Sequence, residues 1–340
     1  MGKEYARPRR KLNGRTKRMT FHSRLQLQLV ARSLPPYADK SPFLDRIVEL
    51  QPRRTRDTRL THIKSWQPVR PEESTRLSDV RQQSHHAAQF AAAAGFSFLE
   101  PEPHDSHASL EWISSLSGLF SQVIPGHTLF RVGIIPNDLS LTIVTENDQP
   151  FAHYRLHGHS INDATAWIRS QISSLGADAS RYTLKRPYEI PPHAVAMGDD
   201  FDASDKIHFE ELTRWLANGA ATLTSFSRPM REASDVRCWP EHFDIATQLQ
   251  VTPDRTIGVG LEPGDHYYDE PYFYTNMSPQ PTASQARSRP LWGRGSWHTQ
   301  GWIGAVLPGT KLGAASAQAE QVREFIDSAV SACRGLAIQN

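Results

Sequence analysis

The sequence predicts an α+β protein in which antiparallel sheets are flanked by helices. Strand-like segments follow one another in runs, whereas a regular alternation of strands and helices would be typical of a parallel sheet. Short turn sequences such as Pro136-Asn137-Asp138 and Asn147-Asp148 separate the strands of the first run. Segments with apolar residues at helical spacing bracket each run, which indicates helices that cover the sheets.

The first run of strands lies between two predicted helices. Leucine, isoleucine and phenylalanine at helical spacing predict a helix over residues 109–123, before Pro125. The predicted strands of an antiparallel meander are 129–135, 140–145 and 151–156. Ser160 and Asp163 form a capping-box pattern that begins the second helix, and Gly176 ends it.

The second run has the same order of elements. A long helix is predicted from about residue 206 to 226, and an amphipathic helix over 316–333 closes the chain. The predicted strands between them are 241–250, 256–262, 271–277 and 302–307. The two halves, 104–186 and 187–340, therefore fit a tandem duplication of one α-β-β-β-α unit, with convergence on the same order as the alternative.

The N-terminal part differs from the rest in charge. Residues 1–76 hold 19 of the 38 Lys and Arg and 7 of the 36 Asp and Glu, a formal charge of +12, and the other 19 basic and 29 acidic residues give −10. We expect residues 1–103 to be a basic, partly disordered arm with a short helical piece over 89–94, and 104–340 to be the body. The arm is either a site for nucleic acid or an acidic partner, or a plain tail; Met19 is a second candidate start.

Composition limits the class of protein. A hydrophobic content of 38% is enough for a core, and no apolar run reaches the 18 residues of a membrane span. We expect a cytoplasmic protein without a membrane segment. Cys238 and Cys333 are too few for a disulfide framework or a thiolate metal site, so both are interpreted as ordinary thiols. Five histidines outside the central segment are expected at the surface: His85, His86, His153, His157 and His159.

The candidate site lies in residues 239–275, which combine histidines, carboxylates and tyrosines on predicted neighbouring strands. Side chains alternate along a strand, so His242 and Asp244 are expected to share a face. The predicted catalytic residues are His242, Asp244 and Glu270, and the predicted ligand-binding residues are Glu262, Tyr272, Tyr274, Trp292 and Arg294. Trp292 and Arg294 belong to a loop rich in tryptophan and arginine, a composition typical of sites for planar or anionic ligands or of loops pinned by buried indoles.

Three interpretations of this patch remain open. His242, Asp244, His266 and Glu270 could together bind a divalent metal such as zinc. Metal-free acid–base chemistry by His242 is the second interpretation, and hydrogen bonding that only holds the sheet together is the third. Neither a nucleophile elbow nor a nucleotide fingerprint is present, since Gly258-Val259-Gly260 lies within a predicted strand. The leading hypothesis is a pocket for a small polar ligand, with metal-assisted, hydrolase-like turnover; the alternative is a non-catalytic binding module.

Two motifs carry a resemblance to a known family. The segments Trp239-Pro-Glu-His-Phe-Asp-Ile-Ala and Asp269-Glu-Pro-Tyr-Phe-Tyr are similar to strands of an uncharacterised bacterial family, the domain of unknown function 5996. The resemblance covers roughly residues 105–335. It implies that both motifs belong to one domain, and it implies no reaction, cofactor or catalytic residue.

Overall fold

Two antiparallel sheets with helices packed on them form the fold, and this confirms the predicted α+β class. The structure is a computed structural model that describes residues 66–338. Residues 1–65, which include most of the predicted basic arm, and residues 339–340 lie outside the described part.

The first sheet has five strands that pair in chain order. Helix α1 (Ser78–Phe98) precedes it and helix α2 (Ile161–Ser174) follows it. The strands are β1 (Glu111–Ile113), β2 (Gly118–Phe120), β3 (Phe130–Ile135), β4 (Ser140–Thr145) and β5 (Pro150–Arg155). The predicted capping box of α2 is present, because Ser160 Oγ accepts from the Asp163 amide and the Asp163 carboxylate accepts from the Ser160 amide. The three predicted strands of this half are confirmed to within a residue or so.

The second sheet has six strands in the order β10-β11-β9-β8-β7-β6. Helix α3 (Lys206–Ser227) precedes it, the short α4 (Ala283–Arg287) interrupts it, and α5 (Gln318–Ala337) follows it. The strands are β6 (Arg237–Trp239), β7 (Asp244–Thr252), β8 (Arg255–Glu262), β9 (Tyr272–Ser278), β10 (Ser296–His298) and β11 (Gly304–Pro308). Helices α3 and α5 pack on one face of this sheet, where Phe273 of β9 lies against Trp215 of α3. The opposite face is left for the site.

The two sheets meet at their edges. Leu110, just before β1, and Cys238 of β6 exchange two backbone hydrogen bonds of 2.9 and 2.8 Å. Both residues are fully buried, and Cys238, like Cys333, is a free thiol, as expected. The first half, 104–186, matches the order helix, antiparallel sheet, helix only when α1, which ends before residue 104, is counted with it; an origin by duplication stays a prediction.

Helix α1 extends the packed structure toward the N-terminus. It is a 21-residue helix rather than the short piece predicted over 89–94, and it packs against β3 and α3. Gly95 lets the helix also lie close to the chain segment before β1, since a Cβ on Gly95 would be 2.5 Å from the carbonyl oxygen of His107. Packed structure is therefore present well before His104, where the sequence places the start of the body.

The prediction that His85 and His86 lie at the surface is wrong. Both are 6% exposed, because α1 is covered by the chain segments around Pro191 and Pro240. Each ring donates from Nε2 to a carbonyl oxygen, His85 to Pro240 at 2.8 Å and His86 to Pro191 at 3.0 Å. The predicted exposure of the other three histidines, His153, His157 and His159, is confirmed.

The predicted helix over residues 109–123 is also wrong, because the segment forms β1 and β2. Ser117 has a left-handed backbone (φ 51°) and begins the return strand with Gly118. Gly133 on β3 lets the Phe120 ring lie directly over the sheet, since a Cβ there would be 2.2 Å from that ring. Pairing with the following strand, β3, therefore overrides the helical spacing of the apolar residues. Among the described residues, no helix combines the length and apolar character of a membrane-spanning segment.

Candidate functional site

A cavity of about 1060 Å³ lies on the face of the second sheet that α3 and α5 leave open. Its walls come from the start of α1, the turn before β7, the ends of β8 and β9, and the loop between those two strands. Six of the residues singled out from the sequence line it: His242, Asp244, Glu262, His266, Tyr272 and Tyr274. The structure therefore brings together most of the predicted site.

Strand register explains why three of these residues meet. Glu262 at the end of β8 pairs directly with Tyr272 of β9. Ile245 of β7 pairs with Leu261 of β8. Because the strands are antiparallel, Asp244, the residue before Ile245, lies opposite Glu262. Directly opposed residues share a face of the sheet, so Asp244, Glu262 and Tyr272 form a row across three strands at the cavity floor.

Asp244 is a buried carboxylate with one oxygen hydrogen-bonded and the other without a donor in the part of the chain that the structure describes. It is 6% exposed, and its Oδ2 accepts a short hydrogen bond from the Tyr274 hydroxyl. No described residue donates a hydrogen bond to its Oδ1. Burial raises the pKa of Asp244 to about 6, although the Tyr274 hydrogen bond acts in the opposite direction. The carboxylate is therefore mostly ionised at pH 7 but titrates close to neutrality.

Glu262 is the second member of a carboxyl pair. It is 7% exposed, and burial together with the neighbouring charge of Asp244 raises its pKa well above the usual range. Arg81 lowers that pKa, but to a smaller extent than burial and Asp244 raise it. Two close carboxyl groups in a low-dielectric site do not both ionise readily. We assign the negative charge of the pair to Asp244 and the proton to Glu262.

Glycines on β8 make room for the side chains of β9. Gly260 lies opposite Tyr274, and a Cβ on Gly260 would be 2.4 Å from the phenol ring. Gly258 lies opposite Asn276, and a Cβ there would be 2.4 Å from its amide oxygen. The Gly258-Val259-Gly260 segment is indeed within a strand, and its role is to let Tyr274 cross the sheet surface and reach Asp244.

The loop between β8 and β9 is organised by Asp265. Its Oδ1 accepts from the backbone amides of Tyr267 and Tyr268 at 2.8 and 2.9 Å, and its Oδ2 accepts from the Tyr272 hydroxyl at 3.0 Å. The Tyr268 hydroxyl donates to His298 Nδ1 at 2.9 Å, while Nε2 of that ring donates to the Gln300 carbonyl. The loop tyrosines are consequently held against the cavity and against β10.

Helix α1 supplies wall residues that the sequence did not single out. Arg81 is 8% exposed; its Nη2 donates to Asp269 at 3.1 Å, and its guanidinium packs on Gly264. Its Nη1 has no acceptor among the described residues. One turn later His85 stacks on Phe243 at 5.3 Å, and burial lowers its pKa to about 3, so the ring is neutral. The polar spacing of Ser78, Arg81 and His85 along an alanine-rich helix is the signal that could have identified this face.

His242 and His266 line the cavity from loops. His242 lies in the turn between β6 and β7, which ends at Phe243 with a left-handed backbone (φ 67°). Strand alternation therefore does not govern it, and the expectation that His242 and Asp244 share a strand face is wrong. His266 is exposed and contacts Tyr267, with ring centres 3.9 Å apart and the ring planes tilted by 41°.

The other three predicted residues make contacts elsewhere. Glu270 accepts two hydrogen bonds from Thr310, from its amide at 2.6 Å and its hydroxyl at 3.0 Å. Trp292 is 54% exposed, and Arg294 donates to the Lys311 carbonyl. Trp302, from the same tryptophan-rich region as Trp292, lines the cavity instead. It stacks on His298, with ring centres 4.7 Å apart.

The four predicted metal ligands do not converge. Within residues 66–338, no group of three or more His, Cys, Asp or Glu side chains is arranged to hold a metal ion. Three of the four line the cavity, whereas Glu270 is bound to Thr310. Metal binding stays a prediction.

Comparison of the chain with protein-family models, curated protein sequences and solved structures found no match. The family resemblance based on the two sequence motifs stays a prediction.

Proposed function

We propose that the cavity binds a small polar ligand and that Asp244 contacts it directly. The observation that carries this proposal is the environment of Asp244, a nearly fully buried carboxylate in the cavity wall whose Oδ1 has no donor among the described residues. A buried carboxylate oxygen without a donor is costly, so a ligand N–H or O–H placed there would be bound favourably. The cavity volume of about 1060 Å³ is at the upper end of the range for small-molecule sites.

The carboxyl pair also supports acid–base chemistry on that ligand. Buried pairs whose pKa values are pushed apart commonly provide one proton acceptor and one proton donor. Here Asp244, with a pKa of about 6, is the acceptor, and Glu262, whose pKa burial raises further, is the donor. We propose proton transfer at Asp244 as the chemical step of any turnover, because a pKa near the working pH suits a general base.

The test is a thermal-shift screen of the full chain. A mixed set of small amines, polyols, amides and carboxylates is added at millimolar concentration to the wild type, to Asp244→Asn and to Asp254→Asn. Asp254 is the matched control, because it is an exposed aspartate in the turn between β7 and β8, hydrogen-bonded to Thr252. We expect at least one compound class to raise the melting temperature of the wild type and of Asp254→Asn by about 2 °C or more.

The same compounds should not stabilise Asp244→Asn. A screen in which no compound stabilises the wild type, or in which Asp244→Asn responds as the wild type does, contradicts the proposal. Circular dichroism of each variant confirms that the comparison is made between folded proteins.

A further inference from the structure

We propose that the ligand is an organic cation, a protonated amine that donates an N–H to Asp244 and lies against the rings of Tyr267, Tyr274 and Trp302. This inference rests on the proposed function, that the cavity binds a small polar ligand, and it adds the chemical class. Three independent features of the cavity lead to it: the arrangement of its rings, its excess of carboxyl groups, and the position of Asp244 beside both.

The rings of the cavity present their faces from several directions. Trp302 stands edge-on to Tyr274, with an interplanar angle of 84° and ring centres 6.5 Å apart. It is also steeply inclined to Tyr267, at 69° and 6.4 Å. All three rings line the cavity. The face of an aromatic ring carries negative charge density, and steeply inclined rings around one space are the usual arrangement for binding ammonium groups.

The charges of the lining residues favour a cation over an anion. Among residues 66–338, six carboxyl groups line the cavity: Glu189, Glu241, Asp244, Glu262, Asp265 and Asp269. The single guanidinium in the described lining is Arg81, and it is already paired with Asp269. The cavity remains negative even with Glu262 protonated, and a concave protein surface strengthens such a field. A phosphate or carboxylate ligand would be repelled, and an uncharged sugar would gain nothing from this charge.

Asp244 places a negative charge directly beside the aromatic rings of the cavity. The Tyr274 hydroxyl donates to its Oδ2, so the carboxylate lies directly beside one of the three rings. The residue is 6% exposed, and its Oδ1 is the buried oxygen without a described donor. A protonated amine satisfies this oxygen with an N–H while its alkyl carbons lie on the ring faces, and no neutral group satisfies both the oxygen and the charge.

The test uses two small probes of equal shape. Piperidine is protonated at pH 7, whereas tetrahydropyran has the same ring with oxygen in place of the ammonium nitrogen. We measure the binding of each to the full chain by isothermal titration calorimetry, with methyl glucoside and glutarate as the sugar and anion probes. Piperidinium should bind at least about tenfold more tightly than tetrahydropyran, because charge pairing and ring contact together exceed the roughly 1.4 kcal/mol that a factor of ten requires.

Matched tryptophan variants locate the binding. Trp302→Ala should weaken piperidinium binding about tenfold, whereas Trp292→Ala should leave it unchanged, because Trp292 is exposed and outside the described lining. If Trp302→Ala does not fold, Tyr267→Ala at the half-exposed rim replaces it.

Equal binding of piperidinium and tetrahydropyran, or binding of glucoside or glutarate in preference to piperidinium, overturns the cation assignment. The proposed function survives those outcomes, because a small polar ligand still binds. Absence of binding by all four probes at millimolar concentration overturns the cation assignment as well. The proposed function falls only when the broader screen with Asp244→Asn also fails.

Discussion

Tyr274 donates a hydrogen bond from its hydroxyl to Oδ2 of Asp244, two strands away in the second sheet. The phenol ring crosses β8 above Gly260. Glycine is needed there, because a Cβ on this residue would be 2.4 Å from the ring. This bond holds the ionised form of a carboxylate that burial would otherwise protonate more completely. It also fixes one aromatic face of the cavity next to its charge. The bond therefore links the stability of the sheet to the chemistry of the site.

Removing the Tyr274 hydroxyl tests this link. Tyr274→Phe should raise the pKa of Asp244 above about 6, because the hydrogen bond that favours the carboxylate is lost. It should also lower the free energy of unfolding at pH 7 by about 1–3 kcal/mol, the usual range for a hydrogen bond to a buried charge. Urea denaturation and carboxyl titration by NMR measure the two effects. Tyr154→Phe, a phenol on the first sheet, is the control, and an equal loss in both variants would contradict the prediction.

Asp244 should make stability fall as pH rises from 5 to 7. Its pKa is about 6 in the folded protein and near 3.8 when unfolded, so the folded state binds its proton more tightly. The stability associated with this proton is fully present below pH 3.8 and is lost as pH rises through 6. Between pH 5 and 7 the loss is about 1 kcal/mol.

The comparison of two aspartate variants isolates this contribution. Relative to the wild type, Asp244→Asn should become about 1 kcal/mol more stable between pH 5 and pH 7, measured from urea midpoints. Asp254→Asn should show no such trend. The pKa of Asp254 is lowered by its hydrogen bond to Thr252, so this carboxyl group titrates below this pH range. Parallel pH profiles for the wild type and Asp244→Asn would show that Asp244 is not the titrating group.

His85 should make the free energy of unfolding rise with pH, opposite to the effect of Asp244. Its pKa is about 3 in the folded protein and near 6.5 when the chain is unfolded, so the unfolded state binds the proton more tightly. Stability is therefore lost as pH falls below 6.5. His85→Gln keeps a donor for the Pro240 carbonyl but does not titrate. Between pH 7.5 and 5 the variant should lose about 2 kcal/mol less stability than the wild type, measured by urea denaturation.

The two glycines of β8 should differ in their tolerance of a methyl group. Gly260→Ala places a Cβ against the Tyr274 ring, which its hydrogen bond to Asp244 holds in place, whereas Gly258→Ala meets the side-chain amide of Asn276, which can rotate away. Overpacking against a fixed ring commonly costs about 1–3 kcal/mol, so Gly260→Ala should be the less stable variant by roughly that amount. It should also weaken ligand binding in the thermal-shift screen. Equal stability of the two variants would mean that Tyr274 moves aside freely.

Glu270 should prove structural rather than ligand-binding. Its two hydrogen bonds to Thr310 join the loop before β9 to the segment after β11. Glu270→Gln should lower the unfolding free energy by about 1 kcal/mol and leave ligand binding in the cavity unchanged. The thermal-shift screen and urea denaturation together measure both effects. If Glu270→Gln instead lost ligand binding while its free energy of unfolding stayed unchanged, Glu270 would be a ligand-binding residue.

The sequence by itself determined the features that depend on neighbours along the chain. Turn residues and side-chain alternation identified β3, β4 and β5 of the first sheet and β7, β8, β9 and β11 of the second, and the capping box identified the start of α2. Within the site, the sequence placed Asp244, Glu262 and Tyr272 on strands expected to be neighbours, since antiparallel strands that are adjacent in sequence usually pair. The register that sets Glu262 opposite Tyr272 came from the structure.

Only the tertiary structure decided which distant segments complete the cavity. Arg81 and His85 of α1 lie more than 150 residues before Asp244 in the chain, and Trp302 lines the cavity in place of Trp292. Glu270 carries the same local signal as Glu262, yet it is turned toward Thr310. The physical reason is that local periodicity fixes the direction of a side chain relative to its own element. Which element lies opposite depends on packing between segments remote in sequence, as it does where Leu110, at the start of residues 109–123, pairs with Cys238 of the second sheet.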